Sequence, residues 1–127
     1  MATQSSAREA VFALLYAHDC GNDAASFAPT FLNDKNIKNA KQTFALDVFA
    51  GALEKLDEID NAIKGFLQNW DFDRVGALEK AILRLGTFEI RYQKTPKSVV
   101  INEMITLAKK YSDKESAKFI NGILDKI

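Results

Sequence analysis

Apolar residues recur at intervals of three and four along almost the whole chain, and no segment alternates as a half-buried strand does. The first stripe, Ala7, Ala10, Val11, Leu14 and Ala17, follows Ser6-Ala7-Arg8-Glu9, which reads as a capping box, and Gly21 closes the helix at about Asp19. Phe12, Leu15 and Tyr16 carry apolar character nearly all the way round it, the mark of a central helix. Arg8 is its only Lys or Arg and stands in the first turn, where the helix dipole disfavours a cation. It is either a functional residue or an ordinary exposed arginine at a helix start.

Residues 22–36 read as a loop with room for one short helix, because Pro29 interrupts Phe27, Phe31 and Leu32, which need burial. From Ile37 a single stripe runs through Ala40, Phe44, Val48, Ala52, Leu56, Ile59, Ile63 and Leu67 to Trp70. As one helix it would extend about 50 Å, whereas a compact chain of this length has a radius of gyration of about 14 Å. A break is therefore expected around Lys55-Leu56-Asp57, with Asp57 capping the next segment.

Asp71-Phe72-Asp73-Arg74 reads as a turn or cap before a helix from about Val75 to Tyr92, which stops ahead of Thr95-Pro96. Leu78, Ala81, Ile82, Leu83, Leu85, Phe88, Ile90 and Tyr92 cover most of its circumference and place it in the core. Lys80, Arg84, Thr87 and Arg91 form a narrow polar stripe. Glu89 projects among Leu78, Ile82 and Leu85, so its carboxylate requires a partner. That partner is an internal arginine or backbone donor, or else Glu79 or Glu89 is completed by a basic residue of another protein. Pro96-Lys97-Ser98 starts a sixth segment with a clean apolar face of Val100, Ile101, Met104, Leu107, Ala108 and Tyr111. The pattern as a whole predicts an all-α fold of about seven helices.

The last helix breaks its own pattern. Ser112 with Glu115 reads as a capping box, and Ala117, Ile120, Leu124 and Ile127 fall on one arc. Phe119 lies roughly 120° away, among Glu115, Lys118, Gly122 and Lys126. Packing on a neighbouring helix accounts for such a ring. So does a stacking platform for an unpaired base, with lysines for the phosphate and Gly122 leaving room for close approach.

Composition narrows the function. With 127 residues and 47% apolar content the chain makes one domain, or two very small subdomains sharing a core. The formal charge is zero, so any nucleic-acid surface is local. Residues 1–60 carry five Lys and Arg against nine Asp and Glu, while residues 61–127 carry twelve against eight, which places a basic surface mostly in the second half. The lone Cys20 excludes an internal disulfide and a cysteine-based metal cluster. Without a signal peptide or an apolar run of membrane length, a cytoplasmic protein is expected. His18 beside Cys20 has no orienting acid in any recognisable motif, and no glycine-rich phosphate loop is present. Enzyme is the weakest class, and no cofactor or metal is expected.

Val99-Val100-Ile101-Asn102-Glu103 with Leu107-Ala108-Lys109-Lys110, then Ser116 through Lys126, are the most specific motifs. Ala7-Arg8-Glu9 through Ala13-Leu14-Leu15-Tyr16, and Ile82-Leu83-Arg84-Leu85 with Phe88-Glu89, add to them. In this order and spacing the chain resembles the NusB family over nearly its whole length. The resemblance implies two small helical bundles packed across each other, about 1–70 and 71–127. It also implies a non-catalytic transcription antitermination role: binding boxA-type RNA of ribosomal leader transcripts with NusE, a small-subunit ribosomal protein, and meeting other Nus factors and RNA polymerase indirectly.

By position, the resemblance assigns RNA contact to Arg8 and to the last helix, where Lys114, Glu115, Lys118, Phe119 and Gly122 are the expected residues. It assigns the partner surface to Glu79, with Arg84 on the same helix. The chain departs from the family in reading Thr3-Gln4-Ser5-Ser6 where several arginines usually stand, and each lost phosphate contact weakens RNA affinity and flattens its salt dependence. A helical protein–protein adaptor with weak or lost RNA binding is therefore the alternative. A related family of ribosomal RNA cytosine methyltransferases carries a NusB-like domain ahead of the catalytic one. In 127 residues no methyltransferase is expected to accompany it.

Overall fold

The first and the last helix each start at a side chain that takes up a free backbone N–H group, though in neither case at the one the motif suggests. In a computed structural model that describes residues 3–68 and 71–127, Thr3 caps the first helix, its hydroxyl oxygen accepting from the Ser6 N–H at 3.0 Å. Helix α1 accordingly runs Gln4–Asp19, and Ser6 lies inside it instead of capping it. Gly21 then takes φ +94°, the left-handed conformation that ends the helix.

The expected loop is largely a helix. α2 spans Ala24–Asp34 with Pro29 in its interior. Proline removes one backbone donor, but Ala24, Ala28 and Leu32 at four-residue spacing are all buried, and that packing outweighs the missing bond. Phe27, expected inside, is 39% exposed.

The long stripe breaks where length required. α3 runs Asn39–Glu54 and α4 Leu56–Lys64, with Lys55 shared between them. Asp57 does not cap α4; it lies with Glu58 in its first turn, where a carboxylate is favoured by the dipole. Leu67 is buried beyond the helix, and Trp70 lies outside the described residues. A 3₁₀ turn, Phe72–Arg74, comes next, with the Asp71 carboxylate accepting from the Asp73 N–H at 3.1 Å. α5 (Ala77–Arg91), α6 (Lys97–Tyr111) and α7 (Lys114–Leu124) complete seven α-helices among the described residues, with no strand.

Every residue from Ala81 to Glu89 is buried, which makes α5 the central element. It packs on α1, α3, α4, α6 and α7, and the buried side chains of all seven helices form one core. Arg84 binds this arrangement together: its guanidinium donates to both Asp60 oxygens, at 2.9 and 3.0 Å, and to Asp19 at 2.9 Å. Burial disfavours the Arg84 charge, but the two carboxylates outweigh it and hold its pKa above the ordinary value.

The close approach of α3 to α5 depends on Gly51. A Cβ there would stand 2.4 Å from the tip of the buried Phe88 ring, whereas a Cβ on Gly122 of α7 would meet nothing within 4 Å. The same substitution should therefore act with opposite sign at the two sites. Gly51→Ala is expected to cost about 1–3 kcal/mol through overpacking, and Gly122→Ala to gain about 0.5–1 kcal/mol of helix stability. Urea titration of both variants measures this, and a stabilised Gly51→Ala would show that Phe88 has room to move.

Candidate nucleic-acid interface

The start of α7 is capped by Asp113, not by Ser112: its carboxylate accepts from the Ser116 N–H at 2.8 Å. Both serine hydroxyls serve α5 instead. Ser112 and Ser116 each donate to Glu79 Oε2, the first at 2.9 Å, and their oxygens lie 2.8 Å apart. Glu79 stands in the first turn of α5, so one half-buried carboxylate complements the α5 dipole and staples that helix to the α6–α7 junction.

Burial pushes the Glu79 carboxyl up, but the Ser116 hydroxyl, its own backbone N–H and the Ser112 hydroxyl together hold it below its ordinary value of 4.5. The folded chain thus binds this proton less readily than the unfolded one. The stability it contributes is complete above the ordinary value and is lost as pH falls through the depressed folded value. Ser116→Ala should flatten the acid side of the stability profile, visible in thermal melts between about pH 3 and 6, and an unchanged acid limb would remove the staple from consideration.

Phe119 sits on α7 between two clefts. Half-buried, it packs one side against the core. It also lines a cleft of about 530 Å³ with Arg74, Glu79, Glu115 and Lys118, and a second of about 280 Å³ shared with the segment after α4. The off-stripe position of the ring thus places it partly against the core and partly along the two clefts. Glu115, Lys118 and Gly122, which line these clefts, are exposed, and so is Lys114 at the start of α7. Lys118 and Glu115 approach only to 4.0 Å with both side chains largely in solvent, a pairing that contributes little and leaves the ammonium available. The space at Gly122 gives no packing reason for a glycine in the helix.

Two of the expected site residues lie elsewhere. Arg8 is 7% exposed, and its guanidinium is held by the fully buried Glu89 at 2.8 and 3.0 Å and by Glu103 at 3.2 Å. This answers the question Glu89 posed: its partner is an internal arginine. Arg84 is likewise turned inward, in the Asp60 and Asp19 pairs already described, instead of facing outward beside Glu79.

Two features escaped the sequence reading. Arg74 comes to the larger cleft from the 3₁₀ turn, where only a turn signal was legible. A third, strongly apolar cleft of about 400 Å³ is lined by Phe12, Tyr16, Leu78 and Tyr111, on the Leu78 side of Glu79. Tyr111, placed by its pattern in the core, is 41% exposed, its ring 5.1 Å from that of Phe12 and its hydroxyl donating to Glu9. Apolar character all around α1 was the available signal, since a helix buried on one side with aromatic residues left over has a second surface to cover.

The NusB family model matches residues 5–127. A curated relative, the transcription antitermination protein NusB of Wolinella succinogenes, is 51% identical over 98% of this chain and 93% of its own length. Among solved structures, T. maritima NusB superposes with a TM-score of 0.90 at 32% identity, covering 98% of this chain and 89% of that one. A crystal structure of antitermination factors NusB and NusE in complex with double-stranded RNA gives 0.86 at 32% identity, over 96% and 92% of the two chains. A match spanning nearly every residue, in sequence and in fold, has one meaning: the chain belongs to the NusB family.

Proposed function

We propose that this chain is a transcription antitermination factor that binds boxA-type RNA of ribosomal leader transcripts together with NusE. The observation that carries the RNA half is Phe119 between two clefts, an anchored ring with exposed lysines around it and an open glycine one turn on. A base stacks on the ring, and Lys114 and Lys118 attract the phosphates. Glu115 on the cleft wall offers an acceptor for a base amino group. NusE docks on Glu79 and on the apolar groove of Tyr16, Leu78 and Tyr111, Leu78 and Glu79 being neighbours in the first turn of α5. Arg8 and Arg84 act through the fold, by holding α1 and α4 against α5. No bond is made or broken in this reading and no cofactor takes part; other Nus factors and RNA polymerase are met through the RNA and NusE, in the cytoplasm.

Binding of boxA-type RNA, measured with and without NusE at two salt concentrations, tests the whole. Weak binding alone with a shallow salt slope, strengthened by NusE, is the expected result, given the arginine-poor start of the chain. NusE binding with no RNA affinity in either case would favour the adaptor reading instead.

A further inference from the structure

We propose that the smaller cleft beside Phe119 is a second nucleotide subsite, in which Phe66 and Gln68 hold the base next along the strand from the one on Phe119 and Lys126 meets its phosphate. This rests on the reading of Phe119 as a stacking platform. The cleft lies between α7 and the segment after α4, and its volume of about 280 Å³ suits a single base better than a duplex.

Its walls have the chemistry of a nucleotide site. Phe66 is half-buried, packed against the core on one side while lining the cleft with the other, so its ring is held in place before anything binds. Gln68 is exposed at the same cleft, and its amide presents a donor and an acceptor in one plane, the pattern that pairs with a base edge. Lys118 and Gly122 stand one turn apart on α7, and Lys126 follows just past its end, all three lining the same cleft. The two cations thus bracket the one place on α7 where no side chain blocks the backbone. Rings, cations and an open backbone together make a track for an extended single strand, which passes from the larger cleft across Phe119 into the smaller one.

The full chain, titrated by fluorescence anisotropy with single-stranded boxA-type RNA, tests the subsite. RNAs carrying one abasic nucleotide at successive positions locate it. Gln68→Ala and Phe66→Leu should each weaken binding to the intact RNA about 5- to 10-fold, with melting temperatures close to wild type. Each should lose nothing further on one particular abasic RNA, and that position should adjoin the one at which Phe119→Ala loses nothing further. Lys126→Ala should lower the salt slope by about 0.7. Unchanged affinity in both Gln68→Ala and Phe66→Leu, or equal losses on every abasic RNA, overturns the second subsite. Should Phe119→Ala also bind as wild type, the platform reading falls with it, whereas a weakened Phe119→Ala beside silent Gln68 and Phe66 variants removes the second subsite alone.

Discussion

Arg8→Ala is expected to lower the free energy of unfolding by about 3–5 kcal/mol. The guanidinium reaches both Glu89 oxygens and Glu103, and it lies over the Phe44 ring at 5.7 Å to the centroid. Glu89 is completely buried, and the one other hydrogen bond to its carboxylate among the described residues comes from the Thr95 hydroxyl at 3.4 Å. Truncating Arg8 therefore leaves a carboxylate in the core with almost nothing to replace its cation. Replacing both ends, as in Arg8→Met with Glu89→Leu, should recover most of the loss, because the desolvation penalty disappears together with the attraction. Urea denaturation of the two single variants and the double measures this; a loss below about 1 kcal/mol for Arg8→Ala would mean that the pair behaves as an exposed one. The salt slope of RNA binding separates the two possible roles of Arg8. Under conditions where the variant stays folded, a residue acting through the fold leaves the slope unchanged, whereas a phosphate contact would reduce it.

Much of this fold is legible in the sequence because one core shared by seven helices imposes a helical period on nearly every segment. The break at Lys55 is a consequence of length alone, and the need of Glu89 for a partner comes from its position in the α5 stripe. The features that could not be read depend on pairings across the chain. Arg8 and Glu89 are 81 residues apart, and Ser116 and Glu79 are 37 apart, so no local motif contains either pair. The caps fail for a related reason: Thr3 and Ser6, or Ser112 and Asp113, offer neighbouring oxygens of equal local merit. The choice at Ser112 is made by Glu79, which takes up the hydroxyl from outside the helix. Pro29 misled because a helix whose face is held by buried side chains can carry a proline in its interior. Within the candidate site, the off-stripe position of Phe119 was legible in the period of α7, whereas the apolar groove as a whole was not, since Phe12, Tyr16, Leu78 and Tyr111 come from three helices.

Phe119→Ala is expected to weaken boxA-type RNA binding by about 1–3 kcal/mol, roughly 5- to 150-fold, the range for loss of one base–aromatic stack. Alanine alone does not isolate the cause, because Phe119 also packs against the core and its loss costs stability. Phe119→Leu separates the two contributions. Leucine retains the apolar contact with the core but has no flat π-face, so folding stability should stay close to wild type while RNA affinity falls nearly as far as in the alanine variant. The opposite pattern, full RNA affinity in Phe119→Leu and loss only where stability is also lost, would mean that the ring serves packing and that the strand is held by the lysines alone. Lys118→Ala supplies the contrast: it should lower the salt slope by about 0.7 for a single strand, whereas the Phe119 variants should shift affinity by the same factor at every salt concentration. A ring that contributes independently of salt, beside cations whose contribution vanishes with it, is the signature expected of a base held by stacking and a backbone held by charge.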